Sequence, residues 1–551
     1  MQSRIQHIQH MKVINYIQSF LKNNKWLLFF LFSQTALLFI ILSDSYNEDT
    51  TRRVISNCLY FIIVAFAFCL MSGWIRKAAI ITYQTLSFVP NIIVLGWYSI
   101  NKGIMKSTDF WVIFDTNPGE AGGFLTIVPV NAIIWCVVYS VISIILCVIA
   151  CKESNNKTSG IKGYISSLCG IGIWIGVSVV LPFRAHVPLV DFYKSFHNFM
   201  RERKYAAEFY ESRKYLTIDS ECYLPNDVKK TYIIVIGESA TRSHYGLYGY
   251  PRNTTPRLDS IKNELICYDN VISPAIQTLT CMKDILTFSN YESPDMYKQE
   301  ANIIEILRDA KYKTYWFDNQ GVGGIDTFTP TSYRAIAKMC DEFFVNQEYM
   351  LDTILVNLVK RNISDTALNK VFFLHLNGSH FPYEIRYSEE FNVFDDQDIY
   401  SPYKEQLTDK QICIINEYDN SILYNEYILS TLISIIRQEE GICALLYFPD
   451  HGEEVFDNQL YSGRSFEKLS AGMCEIPCIL WINEEAKMSM HLNINEHIPY
   501  CTDDIIHSIM DLTGTTYTLK DTTRSMFSSE FSEKERIVQG RTYESIIKEN
   551  K

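Results

Sequence analysis

Five apolar runs crowd the N-terminal third of the chain: Trp26 to Leu42, Val54 to Gly73, Ala78 to Ile100, Phe124 to Cys151 and Ile161 to Phe183. Each reaches about the 17 residues a helix needs to cross a hydrocarbon core of roughly 30 Å. The third is the weakest, because Tyr83, Gln84, Pro90 and Asn91 interrupt it. The pattern predicts a five-helix membrane domain over residues 1–188. Between 189 and 223 it changes. Phe192, Phe196, Phe199, Tyr205 and Phe209 recur at helical spacing among basic residues, which predicts an amphipathic bridging helix on the membrane surface. From 224 to 551, short β-branched runs alternate with helical patterns. Strands are predicted at Tyr232 to Ile236, Leu265 to Val271, Thr314 to Phe317, Val371 to Leu376, Cys443 to Phe448 and Ile476 to Ile482. Helices are predicted at Ala301 to Ala310, Tyr349 to Arg361, Gln411 to Arg437 (with an interruption) and Thr502 to Leu512. Near-continuous apolar strands between helices predict an α/β domain with a mainly parallel sheet and helices on both faces.

Charge orients the membrane half. With the N-terminus inside, Arg4, Lys12, Lys22, Lys25, Arg76, Lys77, Lys152, Lys157 and Lys162 face the cytoplasm, against Arg52, Arg53, Lys102 and Lys106 outside. The inward excess favours that orientation. An odd number of spans then puts everything after Phe183 outside. No small-x-small site follows Leu42 and further spans come after it, so the first run reads as a span and not as a cleaved signal. The outer loop before the fourth span carries Phe110, Trp111, Val112, Ile113 and Phe114, then Thr116, Asn117 and Glu120. The apolar residues suit the lipid interface. The polar ones then lie at headgroup depth, either as a plain turn at Asn117-Pro118-Gly119 or with Glu120 facing an ammonium. Over the whole chain, 50 Lys and Arg stand against 62 Asp and Glu, a net charge of −12. That excludes nucleic acid as the main partner, since phosphate binding needs a basic stripe.

In parallel sheets, ligands gather beyond the carboxyl ends of the strands. The run ending at Gly237 delivers Glu238, the run ending at Leu376 leads to His380, and the run ending at Pro449 delivers Asp450 and His451. Two carboxylates and two imidazoles form a plausible ligand shell for zinc or manganese. A serine hydrolase is the competing chemistry. However, Gly237-Glu238-Ser239-Ala240-Thr241 lacks the second glycine of a nucleophile elbow, and an adjacent Asp and His on a strand point apart.

The order and spacing of Val235-Ile-Gly-Glu-Ser-Ala-Thr-Arg-Ser-His-Tyr-Gly, Asn253-Thr-Thr-Pro-Arg-Leu, Gln277-Thr-Leu-Thr, Leu376-Asn-Gly-Ser-His-Phe-Pro-Tyr and Pro449-Asp-His-Gly-Glu-Glu resemble the bacterial inner-membrane phosphoethanolamine transferases of lipopolysaccharide. Those enzymes belong to the alkaline phosphatase and sulfatase superfamily. The resemblance covers nearly the whole chain. It implies a catalytic zinc held by Glu238, Asp450 and His451, with the hydroxyl of Thr280 as fourth ligand and nucleophile. Thr278 is the rival, and Thr280 is preferred because Thr287-Phe288-Ser289 follows it at the family's distance. The resemblance also implies that His380 contacts the phosphoryl group or a second zinc. Where the family has a further histidine, this chain reads Tyr461-Ser-Gly-Arg464, which weakens a second permanent zinc and leaves Arg464 as a phosphate clamp or a surface salt bridge. Thr116 and Glu120 match family positions for the donor headgroup, and Val112 stands where relatives have asparagine. Cys281 follows Thr280 with no cysteine ten residues away, so the disulfide that brackets the family's nucleophile loop is expected to be absent.

The implied function is transfer of phosphoethanolamine from phosphatidylethanolamine to lipopolysaccharide, at core sugar or lipid A, through a covalent intermediate on threonine, with the catalytic domain in the periplasm. The alternatives are a phosphoglycerol transferase or sulfatase of the same superfamily, and a non-catalytic membrane sensor. A sulfatase normally converts a cysteine or serine, so a threonine argues against it.

Overall fold

The computed structural model describes residues 15, 18–34, 48–101, 110, 128, 130–154, 160–180, 188–213, 216–320, 332–346, 351–395, 398–466 and 468–549. They form two compact units that divide between Met200 and Arg201.

The N-terminal unit is helical. Residues 18–34 form a helix, followed by α1 (Glu48–Leu70), α2 (Gly73–Asn101), α3 (Val130–Ser154), α4 (Ile161–Val180) and α5 (Pro188–Ser212), which belongs to this unit up to Met200. Helix α2 packs on α3, and α1 on α4. Among the described residues, three stretches are long and apolar enough to cross a membrane, Gly73–Ser99, Val130–Ser154 and Ile161–Ser178, with a shorter apolar stretch at Ile55–Leu70. The first of the five expected runs continues past residue 34, outside the described residues.

Two of the polar residues that interrupt the third run, Gln84 and Asn91, join a hydrogen-bond network around Gln34. Gln34 Nε2 donates to Ser143 Oγ at 2.6 Å and to Gln84 Oε1 at 3.2 Å. Ser87 and Tyr139 hydroxyls donate to Gln34 Oε1 at 2.8 and 2.7 Å, and Asn91 Nδ2 donates to Tyr139 Oη at 2.8 Å. Interhelical hydrogen bonds of this kind hold apolar helices together where lipid removes the hydrophobic drive. Phe110, expected to suit the lipid interface, is covered by the chain itself. It is 3 % exposed and packs on the aromatic face of α5, 5.1, 5.4 and 5.9 Å from the rings of Phe192, Phe196 and Phe199.

The C-terminal unit is built on seven strands: β1 (Lys230–Gly237), β2 (Leu265–Tyr268), β3 (Lys313–Asp318), β4 (Glu342–Val345), β5 (Asn369–His375), β6 (Ile442–Pro449) and β7 (Cys478–Ile482). Their order is β2-β7-β6-β1-β5-β3-β4. β1 pairs in parallel with β5 and β6, and β3 with β4 and β5. β7 runs antiparallel to both β6 and β2. The sheet is therefore mixed: four of its six pairings are parallel, and the two antiparallel ones are both made by β7.

Side chains alternate between two buried layers, as strand geometry requires. Ile234, Phe373 and Leu446 face one layer with α6 (Thr278–Leu286), α7 (Ile303–Asp309) and α10 (Ile505–Leu512). Ile233, Phe372 and Leu445 face the other with α8 (Thr353–Asn362) and α9 (Asp409–Ile436). Helix α9 is unbroken over 28 residues, started by a capping box between Thr408 and Gln411. Every residue of β1 and β6 is buried, which fixes the strand ends that carry the site.

Candidate active site

Three adjacent strands deliver the site. Glu238 follows β1, Asp450 and His451 follow β6, and the turn from Asn377 to His380 follows β5. Glu238, Asp450 and His451 are fully buried, and one ligand atom from each lies within 4.8 Å of the others. His451 Nε2 is 3.3 Å from both Glu238 Oε1 and Asp450 Oδ2. Because Asp450 and His451 lie beyond the last strand residue, the alternation that would splay them does not apply.

The donor set suits a metal. His451 Nδ1 donates to the Gly452 carbonyl at 2.9 Å, which fixes the tautomer and presents Nε2 as a ligand. Asp450 Oδ1 accepts from the His451 amide at 2.8 Å, whereas Oδ2 is buried with no hydrogen-bond partner. An unmatched buried carboxylate oxygen is costly unless a cation meets it, and two carboxylates with one imidazole are ligands zinc accepts. Burial opposes charge on Glu238, yet the charged groups around it, Arg464 among them, hold its carboxyl below the usual range. Burial and Glu238 push Asp450 well up. Burial and Arg464 bring His451 down to about 3, so its imidazole is neutral, the form that binds a metal.

Two further groups orient Glu238. Ser239 has φ +53°, an uncommon conformation for a non-glycine residue that is characteristic of functional sites. Its hydroxyl donates to Glu238 Oε1 at 2.7 Å, so it serves the carboxylate and does not form a Ser–His pair. Gln320 Nε2 donates to Glu238 Oε2 at 3.1 Å and to the Leu376 carbonyl at 2.6 Å. Gln320 was not anticipated. Its position just past the end of β3 is the same signal that marks the other site residues.

The two threonines of Gln277-Thr-Leu-Thr are placed differently. Helix α6 begins at Thr278 with Gln277 as its cap. The Thr278 hydroxyl donates to Glu238 Oε2 at 3.0 Å and lies 3.4 Å from His451 Nε2. A helix advances about 100° per residue, so Thr280 points roughly 200° away. The hydroxyl against the buried triad is that of Thr278 and not that of Thr280. The start of α6 adds a positive dipole end beside this oxygen.

His380 lies close enough to bias both Glu238 and His451 electrostatically, and its Nδ1 donates to the Phe381 carbonyl at 2.7 Å. Arg464 is drawn into the site and not onto the surface. Its Nη1 donates to His451 Nε2 at 2.6 Å and to the Ile276 carbonyl at 3.2 Å, and its Nε is 3.3 Å from buried Glu453. Burial pushes Glu453 up to about 7 while Arg464 pulls against it. The guanidinium holds the same imidazole lone pair that a metal would take, so metal binding requires it to turn aside. Thr116 and Glu120 lie outside the described residues.

The Sulfatase family matches residues 230–515, more than half of the chain, and the chain belongs to that family. Phosphoethanolamine transferase EptC of Escherichia coli O18:K1:H7 is 31 % identical over 317 residues, covering 55 % of this chain and 54 % of that protein. The match thus spans about half the length of this curated relative. The crystal structure of the C-terminal periplasmic domain of EptC from Escherichia coli in complex with Zn is similar at 29 % identity and a TM-score of 0.55, over 59 % of this chain and 94 % of that one. The integral membrane protein lipooligosaccharide phosphoethanolamine transferase A from Neisseria meningitidis shares the fold at a TM-score of 0.63 and 15 % identity, over 92 % of this chain and 98 % of that one.

Proposed function

We propose that the chain is a metal-dependent phosphoethanolamine transferase that moves phosphoethanolamine from phosphatidylethanolamine to lipopolysaccharide. In this reading, residues 1–188 sit in the bacterial inner membrane, 189–223 bridge, and 224–551 work in the periplasm. The observation that carries it is the Thr278 hydroxyl held by Glu238 at 3.0 Å beside His451 and Asp450. The names of the relatives and the zinc complex of one of them support the substrate class and the metal.

Glu238, Asp450, His451 and Thr278 would hold the zinc, which would act as a Lewis acid that makes the threonine hydroxyl acidic and polarises the phosphoryl oxygens. Thr278 Oγ attacks the phosphorus of the donor, the bond to the diacylglycerol oxygen breaks, and the threonine proton ends on that oxygen. Phosphoethanolamine remains esterified to Thr278. An acceptor hydroxyl or protonated phosphate oxygen then attacks the phosphorus, the bond to Thr278 Oγ breaks, and the acceptor's proton ends on the threonine oxygen. Glu238 is kept in place by Ser239 and Gln320, Arg464 supplies donors for the phosphoryl oxygens, His380 lies against the phosphoryl group, and Thr116 and Glu120 contact the ethanolamine headgroup.

The deciding experiment compares T278A with T280A, each incubated with phosphatidylethanolamine and examined by intact-protein mass spectrometry. T280A should still gain the mass of phosphoethanolamine and T278A should not. An adduct on T278A would end the nucleophile assignment, and a phosphoglycerol mass on the wild type, with phosphatidylglycerol as donor, would change the substrate class.

A further inference from the structure

The turn that carries His380 is gripped from two sides by charged groups that none of the steps above uses. Asp352, just ahead of α8, is 2 % exposed. Its Oδ1 accepts from the Asn377 amide at 2.9 Å and from Asn319 Nδ2 at 2.7 Å, and its Oδ2 accepts from the Gly378 amide at 3.0 Å. Arg386, 3 % exposed, works on the far end. Its Nε donates to the His380 carbonyl and its Nη2 to the Phe381 carbonyl at 3.2 Å. The anion therefore takes the amides that open the turn and the cation takes the carbonyls that close it. Between them, the Ser379 amide donates to the Glu238 carbonyl at 3.0 Å, which ties the turn to the backbone of a site carboxylate.

Burying two charges merely to close a turn is expensive, and neutral groups close most turns. Charge-assisted hydrogen bonds to peptide groups are shorter and stronger than neutral ones. What they fix here is also particular. The Phe381 carbonyl that accepts from Arg386 is the acceptor of His380 Nδ1, so the same clamp sets both the path of the turn and the orientation of the imidazole.

We infer that Asp352 and Arg386 are positioning residues that hold the His380 imidazole in register with Glu238 and His451. The inference rests on reading His380 as a group that meets the transferred phosphoryl, although the restraint on its ring does not depend on that reading.

The test uses the full chain in detergent micelles, with D352N and R386K made both alone and on top of H380A. D352N keeps the shape but turns one acceptor into a donor facing a backbone N–H. R386K keeps the charge and loses the fork. Each should lower kcat for phosphoethanolamine transfer about ten- to a hundredfold, the cost of displacing a positioned group, while KM for phosphatidylethanolamine moves less than about twofold. On H380A, which has no imidazole left to misplace, the same changes should cost less than about twofold, because coupled residues do not add. Equal losses in both backgrounds would overturn the inference. A second readout does not involve transfer. Arg386 Nη2 also lies 3.2 Å from His380 Nδ1, so in ¹⁵N-histidine NMR the His380 signal, assigned by its loss in H380A, should show one fixed tautomer in the wild type and move toward tautomer averaging in both variants. An unchanged His380 signal would overturn the positioning role even if activity fell. If the wild type transfers nothing but its His380 signal responds as expected, the transferase reading fails and the clamp stands. R386K carries the comparison should D352N not accumulate.

Discussion

Gly378 and Glu238 touch backbone to backbone: a methyl group on the Gly378 Cα would stand 2.7 Å from the Glu238 carbonyl oxygen and 2.8 Å from its amide nitrogen. Gly378 also has φ +54°, a region that side chains disfavour. G378A should therefore push the His380 turn off Glu238. The expected outcome is a loss of roughly 1–3 kcal/mol in stability, read by denaturant titration, together with weaker zinc binding, read by competition with a chelating dye. Wild-type values on both counts would show that the contact can relax.

Gln320 reaches a ligand from outside the triad. Its amide joins Glu238 Oε2 to the Leu376 carbonyl, so Q320A should leave the fold intact and free Glu238 to rotate. Losing an outer partner of this kind typically costs about 10- to 100-fold in metal affinity. Zinc titration of Q320A against wild type checks this. A loss of activity with unchanged affinity would instead place Gln320 on the substrate.

His244 is predicted to give stability a pH dependence. It is fully buried, with Nδ1 2.6 Å from Asp419 and Nε2 3.2 Å from Asp457. Burial works against its charge, but Asp457 and Asp419 outweigh it and raise the imidazole to about 10. In the unfolded chain a histidine titrates near 6.5. A raised folded value means the contribution is complete below about pH 6.5 and fades as the pH climbs toward 10. H244Q should be less stable than wild type by a few kcal/mol at pH 6, on the order of what such a shift implies, and the gap should narrow steadily by pH 10. Denaturation midpoints at pH 6, 8 and 10 test this, and a constant gap would contradict it.

Much of the site could be read from the chain because three apolar runs end directly at it. Strands β1, β5 and β6 each carry a mostly apolar run, and beyond their ends come Glu238, the turn to His380, and Asp450 with His451. The choice between Thr278 and Thr280 could not be read in the same way. Gln277-Thr-Leu-Thr offers two hydroxyls, and which one faces Glu238 depends on where α6 starts, a boundary set by contacts distant in sequence. The direction of β7 was likewise hidden, since Cys478–Ile482 has the same apolar pattern whether it runs with or against β6. Strand β4, four residues at the sheet edge, was too short to announce itself. Phe110 looked like a lipid-facing residue because an aromatic ring suits either environment, and only α5 decides between them.

The Gln34 network has a consequence for how the membrane half responds to the state of the cell. Gln34, Gln84, Ser87, Asn91, Tyr139 and Ser143 are all uncharged groups that bond to one another. A transmembrane voltage does work only on charge that moves through it, so these contacts are blind to that voltage. The contacts this network makes between α2, α3 and the helix at residues 18–34 should therefore hold whether or not a voltage is applied across them.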